Sequence, residues 1–238
     1  MKKALLLLFI SLYVLKVNAQ KIELSVSANS GLFSFGGNSA KSSTFINASD
    51  VASQSGYTNN PYGTKNGLGY GLSVNAKNVM AKHLLLGLDV GYEAMNSKID
   101  ITGINSFGAG GSSNLPATGV TKLNTQFLNL HPNIGFRFGE TITTFDLTAG
   151  IDFGIILKSE EKGEAITATG FTVNTNRDRK NLKTDIRPRL QLAANYQKFG
   201  IYAGYSYGLS NYMESITGGG TWEVSSKVVR FGLSYRIK

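Results

Sequence analysis

The sequence predicts an all-β fold: an eight-stranded antiparallel up-and-down transmembrane β-barrel with four long outer loops and three short periplasmic turns. Three observations lead there. Apolar and polar residues alternate in eight separate runs, the period of two that puts one residue set on each face of a strand. The connections between the runs alternate long and short, as in barrels with long external loops and tight periplasmic turns. Past the first twenty residues no apolar stretch approaches the roughly 20 residues a membrane helix needs, so a spanning form has to be a closed barrel.

The chain opens with Lys2 and Lys3, an apolar run from Ala4 to Leu15, and Val17-Asn18-Ala19. A charged start, a short apolar core and small residues before the cut read as an export signal at 1–19, cleaved after Ala19. Lys16 ends the run after twelve residues, too few for a membrane anchor. The sequence contains no cysteine, which excludes a lipid-bearing cysteine at the cleavage site and any disulfide. Stability has to come from the sheet. Without Lys2, Lys3 and Lys16 the basic residues number 21 against 15 acidic, a balance of +6. Residues 20–238 are expected to form one barrel domain.

The eight runs follow in order. Ile22, Leu24, Val26 and Ala28 alternate with Glu23, Ser25, Ser27 and Asn29; Leu68, Tyr70, Leu72 and Val74 alternate with Gly69, Gly71, Ser73 and Asn75. In the third, Leu84, Leu86, Leu88, Val90 and Tyr92 oppose Gly87, Asp89, Gly91 and Glu93. The fourth sets Leu128, Leu130, Pro132, Ile134, Phe136 and Phe138 against Asn129, His131, Asn133, Gly135 and Arg137. The fifth sets Phe145, Leu147, Ile151, Phe153 and Ile155 against Asp146, Thr148, Asp152 and Gly154. Ile186, Leu190 and Leu192 then oppose Arg187, Arg189 and Gln191, and Ile201, Ala203 and Tyr205 oppose Gly200, Gly204 and Ser206. Val229, Phe231, Leu233, Tyr235 and Ile237 close the series against Arg230, Gly232, Ser234 and Arg236. The long connections are 36–66, 97–120, 158–183 and 212–223, and the short ones 78–82, 139–142 and 197–199. Pro132 and Pro188 fall inside strands, where a closed ladder has no edge to shelter a missing N–H. A bulge or a locally unpaired group is expected at each.

Three segments resemble a known family. Phe127-Leu128-Asn129-Leu130-His131-Pro132-Asn133-Ile134, the stretch AGIDFGIILKSEEKG at 149–163, and TDIRPRLQLAANYQKFGIYAGYSYGLSNY at 184–212 are similar to the Bacteroidota outer-membrane β-barrel family often labelled PorT-like, a small barrel of the OmpA type. The resemblance implies the fold and a location in the cell outer membrane. It implies no catalytic or binding residue.

The polar face collects Glu23, Asp89, Glu93, Asp146 and Asp152 with Arg137, Arg187, Arg189, Arg230 and Arg236. Because the interior of an eight-stranded barrel is just filled by side chains and buried charges persist only when paired, five acids are expected to meet five arginines in a plugged lumen. Read as a function, the same column would gate a narrow ion path. Only His83 and His131 are present, so no multi-histidine metal site can be assembled. No catalytic residue, metal or cofactor is assigned, and the chain is expected not to be an enzyme.

The basic stretch Arg177, Arg179, Lys180 and Lys183 lacks the interleaved aromatics of a nucleic-acid platform. It reads as a solvated loop or a contact for lipopolysaccharide phosphates. Tyr62, Tyr92, Tyr205, Tyr212 and Trp222 are expected at the outer interface, and Phe136, Phe138, Tyr196, Phe199 and Tyr235 at the inner one. The sequence thus points to a monomeric barrel with a structural, surface-contact or accessory role. Its expected partners are outer-membrane lipid, lipopolysaccharide and, during biogenesis, the outer-membrane assembly machinery. The alternatives are a narrow channel for small solutes and a soluble barrel binding a small apolar ligand.

Overall fold

A computed structural model describes residues 21–48, 54–81, 83–108, 111–139, 142–214 and 221–238; the expected signal at 1–19 lies outside them. These residues form eleven strands and no helix: β1 (Lys21–Gly36), β2 (Ser43–Ala48), β3 (Ser55–Thr58), β4 (Lys65–Met80), β5 (Leu84–Gly108), β6 (Gly111–Phe138), β7 (Thr143–Thr167), β8 (Thr172–Asp178), β9 (Thr184–Tyr196), β10 (Phe199–Tyr207) and β11 (Ser225–Arg236).

Pairing runs in a cycle. β1 pairs with β4, β4 with β5, β5 with β6, β6 with β7, β7 with β9, β9 with β10, β10 with β11, and β11 with β1, all antiparallel. The cycle leaves no edge strand, so the ladder satisfies its own backbone groups. The period-two pattern sorts by face as the sequence predicts. Leu68, Leu72, Leu190, Phe199 and Leu233 point outward and are each more than half exposed, while Glu23, Asp89, Glu93, Asp152, Arg187 and Arg230 point inward and are buried.

The strand number departs from expectation, eleven against eight. β5, β6 and β7 run for 25, 28 and 25 residues, well past the alternating runs that announce them. β5 and β6 stay paired from Leu84↔Phe136 to Gly108↔Gly111, so the expected loop 97–120 is mostly hairpin. The expected loops 36–66 and 158–183 contain β2, β3 and β8. β2 pairs parallel with β5 and antiparallel with β3, β3 pairs parallel with β8, and β8 pairs antiparallel with β7. A second, smaller ring of β5, β6, β7, β8, β3 and β2 therefore closes above the first and shares three strands with it. The physical reason is the long strand ends, which would otherwise carry unpaired N–H and C=O groups into solvent. The fourth long connection, 212–223, holds no strand among its described residues.

The two rings have opposite interiors. Ile46, Ala48, Ile101, Ile104, Ala117, Ala165 and Val173 fill the upper one. Between the rings a second apolar cluster, including Phe33, Phe35, Met95, Leu123, Phe127 and Ile156, closes the lower ring at its top. The β6–β7 register shifts between Gln126 and Phe127, so Ile156 faces inward below the shift and Ser159 and Glu161 above it. On the outside the same bulge marks the end of the apolar belt. Ile155 and Leu157 give way to Lys158, Glu160 and Lys162.

Both prolines flank Ile151. Pro188 lies opposite it, and the β6–β7 ladder leaves Pro132 unpaired between Leu130↔Phe153 and Asn133↔Gly150. No register shift accompanies either, so the outcome is a local gap in pairing and not a bulge. Pro188 also sits one residue past the last β9–β10 pair, Arg189↔Ser206. Ile186 donates its N–H on that side to Ser210 Oγ at 3.0 Å, and residues two apart point the same way. The missing donor of Pro188 thus falls where the β10 ladder has ended.

Substituting Ile104→Asp would bury an unpaired carboxylate in the upper ring, a change costing several kcal/mol. Limited proteolysis is expected to cut within 36–66 and 158–183 while the lower ring still resists detergent on an unheated gel. Loss of both together would show that the rings are one cooperative unit.

Candidate functional site

The charged interior of the lower ring is the candidate site. All ten residues singled out from the sequence face it, in three layers along the strands. At the short-turn end Arg137 donates from Nη1 and Nη2 to the two Glu23 oxygens, each at 2.9 Å. Its Nε donates to Asp146 Oδ1 at 2.7 Å, and Lys77 Nζ reaches the other Asp146 oxygen at 3.1 Å. Arg236, at the rim, lies 3.3 Å from Glu23.

In the middle layer Asp89 meets His131 Nδ1 at 3.1 Å. Arg189 bonds Gln191 and has no ion pair among the described residues, which corrects the expectation that every arginine meets an acid. Four of the five acids find cations, those of Asp146 including a lysine, while the partner of Asp89 is a histidine.

The top layer is the most deeply buried. Arg230 is fully inaccessible; it donates from Nε and Nη2 to the two Glu93 oxygens at 2.6 and 2.8 Å and from Nη2 to Asp152 at 2.8 Å. Arg187, equally buried, lies 3.1 Å from Asp152. It donates to Asn129 Oδ1 at 2.7 Å, whose amide in turn donates to Glu93 at 2.6 Å. The guanidinium carbon stands 4.6 Å above the centre of the Phe127 ring, a cation–π contact at the floor of the apolar cap. Crowding explains the inward glycines here: a Cβ on Gly154 would lie 2.7 Å from Arg187 Nη2.

Sequence reasoning missed the partners contributed by neutral residues and by the cap. Asp185 accepts from Ser226 Oγ at 2.6 Å and from the Tyr212 hydroxyl at 2.9 Å. Tyr62 and Tyr212, expected on the outer surface, are buried and pack edge-on with Phe35 at centroid distances of 5.1 and 4.9 Å. A hydroxyl beside an inward apolar position was the signal available: Tyr212 precedes Met213, and both turn inward. The remaining expected girdle residues are exposed.

A small polar pocket, lined by Glu23, Lys77, Arg137, Asp146 and Arg189 among others, opens at the short-turn end. Above it the buried top layer and the aromatic cap fill the ring. The arrangement can hold fixed charge out of water.

The basic stretch is divided. Arg179 is drawn in, donating from Nε to Glu161 at 2.7 Å and from Nη2 to the Thr58 carbonyl, which ties β3 to β7. Arg177 lies 4.1 Å over the Tyr57 ring, and Lys180 Nζ donates to the Leu157 carbonyl at 3.2 Å. Arg177, Lys180 and Lys183 remain exposed.

These features define a class of fold: a closed antiparallel sheet with apolar residues outside and charge within. No family model and no curated protein matches the chain, and nothing supports the PorT-like or Bacteroidota assignment. Among solved structures the chain is similar to Ail, the attachment invasion locus protein of Yersinia pestis, crystallised with the heparin analogue sucrose octasulfate, at 15% identity and a TM-score of 0.40 over 91% of this chain and 99% of that one. It is similar to Neisserial surface protein A at 12% identity and a TM-score of 0.39, over 90% and 97%. It is also similar to the outer membrane protease OmpT of Escherichia coli at 10% identity and a TM-score of 0.40, over 93% and 98%. All three are outer-membrane β-barrel proteins. The likeness to a protease corrects one expectation, that this chain is not an enzyme.

Removing one partner of a buried ion pair costs about 3–5 kcal/mol. Glu93→Gln is therefore expected to lower the urea midpoint of the refolded protein strongly, and Lys158→Gln, on the exposed outer face, hardly at all. Equal, small effects would mean the top layer is not the buried network described. The Tyr212 hydroxyl is pushed well above its ordinary value, first by burial and then by the Asp185 charge. A raised value means that its stabilisation is complete below about pH 10, the unfolded value, and is lost progressively as pH climbs from there through the folded one. Alkaline unfolding monitored by tyrosinate absorbance should occur at higher pH in the wild type than any exposed tyrosine titrates, and Tyr212→Phe should remove that late step.

Proposed function

We propose that residues 20–238 form a monomeric outer-membrane β-barrel of eight transmembrane strands, with a side-chain-filled lumen and a structural, surface-contact or accessory role. The single observation that carries this reading is the inversion of the lower ring, whose outward face is a belt of exposed Leu, Ile, Val and Phe while its arginines and acids are buried. In water such a belt is an aggregation surface; in a bilayer it is the required one. A soluble barrel binding an apolar ligand would reverse the two faces. The upper ring, raised above the belt, is the part available for contact at the cell surface. Arg177, Lys180 and Lys183 are proposed contacts for lipopolysaccharide, and the assembly machinery of the outer membrane the partner in biogenesis.

The channel alternative has the open pocket at the short-turn end in its favour, but the top layer and the cap oppose it. Expressed with its signal, the protein is expected in the outer-membrane fraction, running faster on a gel unheated than boiled, and giving no steady conductance in planar bilayers. Steady conductance altered by Arg189→Ala would establish the channel, and recovery in the soluble fraction would overturn the membrane reading.

A further inference from the structure

The outer face above the belt carries a feature that the alternating runs do not announce. Lys65 of β4 is directly opposite Lys98 of β5, Lys98 is opposite Lys122 of β6, and Lys122 is opposite Lys162 of β7. Four lysines thus form one rung across four neighbouring strands. With strands about 4.8 Å apart, the rung spans about 14 Å.

Like charges directly opposite one another destabilise a sheet, so such a row calls for counter-charge. The protein supplies it at the two ends of the row. Lys65 is paired with Asp100, and Glu160 is shared between Lys162 at 3.1 Å and Lys158, nearby on β7, at 2.9 Å. Lys98 and Lys122, in the middle of the rung, have no ion pair among the described residues. Asp100, Glu160, Glu164 and Asp178 stand on the same face, but none of them pairs with Lys98 or Lys122.

Position selects the counter-charge. Below the rung on β5 and β6 lies a polar step, where Asn124 donates to Asn96 at 2.9 Å, and the belt ends at Leu68, Tyr92, Leu128 and Leu157 on the four strands. Lys98 stands six residues beyond Tyr92, and Lys122 six residues before Leu128. For strands tilted about 45° that places these two lysines about 14 Å past the apolar side chains of their own strands along the membrane normal, while Lys65 stands three residues from Leu68 and Lys162 five from Leu157. Lysines reach back toward an apolar surface and keep the ammonium in the polar layer. Because the rung runs perpendicular to tilted strands, the ammonium row crosses the headgroup layer obliquely.

We propose that the Lys65–Lys98–Lys122–Lys162 rung binds the phosphate groups of anionic lipid in the outer leaflet around the barrel. The site differs from the basic stretch at 177–183 and rests on the membrane-spanning reading. It fixes the height of the protein in the leaflet and adds the negative charge that the cross-strand lysines lack.

The test is native mass spectrometry of the full-length protein released from detergent in the presence of lipid A, phosphatidylcholine or inorganic phosphate. Wild type is expected to retain lipid A at least about tenfold better than phosphatidylcholine. Lys98→Gln/Lys122→Gln should reduce that preference to near unity while the heat-dependent gel shift persists, and Arg177→Gln/Lys183→Gln should leave most of it. Undiminished lipid A retention by the Lys98/Lys122 variant would overturn the site. Displacement of lipid A by millimolar inorganic phosphate would overturn the lipid assignment in favour of a free anion. Loss of the gel shift in the wild type would sink the membrane reading itself, independently of the rung.

Discussion

A narrow closed ladder encloses a space that side chains fill, and in this chain the side chains sent into it are charged. Arg187 and Arg230 are wholly removed from water, so each must find its counter-charge within hydrogen-bond distance and at a fixed height along the barrel. The Glu93–Arg230–Asp152–Arg187 network meets that demand with groups from four strands, β5, β11, β7 and β9. A slip of one residue in any of those ladders would turn an arginine to the outside and strand an acid within. Register, inward glycines and the apolar outer face therefore depend on one another.

The lower ring changes character at its top. Charge gives way to aromatic packing at Phe127, where Arg187 stacks beneath the ring, and the three long strands continue upward around an apolar core. Because β5, β6 and β7 belong to both rings, the upper ring is continuous with the lower through paired strands. A surface presented by paired strands keeps its shape on contact in a way that a free loop does not.

Much of this was legible in the sequence. Alternation alone assigns the faces of β1, β4 and β11, and the ten interior charges follow from parity. The upper ring was not legible, for physical reasons. Ile99 and Ile101 continue the parity of β5 but belong to its inner face, so an apolar–polar pattern that had meant "outside apolar" reverses its sense without breaking. The bulge at Phe127 shifts β7 by one residue, which erases the period across Leu157 and Lys158. β2, β3 and β8 are short and rich in Ser, Thr, Asn and Gly, the composition of a loop. Their strand character comes from pairing with distant segments, and two of those pairings are parallel, which no local pattern reveals. The lysine rung was hidden likewise: its members are far apart in sequence and meet only through register.

The inversion of faces is the claim from which the rest follows, and the absence of cysteine from the sequence makes it directly measurable. Single cysteines placed in turn at positions 128 to 137, labelled with a fluorophore after reconstitution, would be exposed to a quencher attached to lipid tails. The account predicts strong quenching at 128, 130, 132, 134 and 136 and weak quenching at 129, 131, 133, 135 and 137. Quenching without a period of two, or strongest at the odd positions, would contradict it.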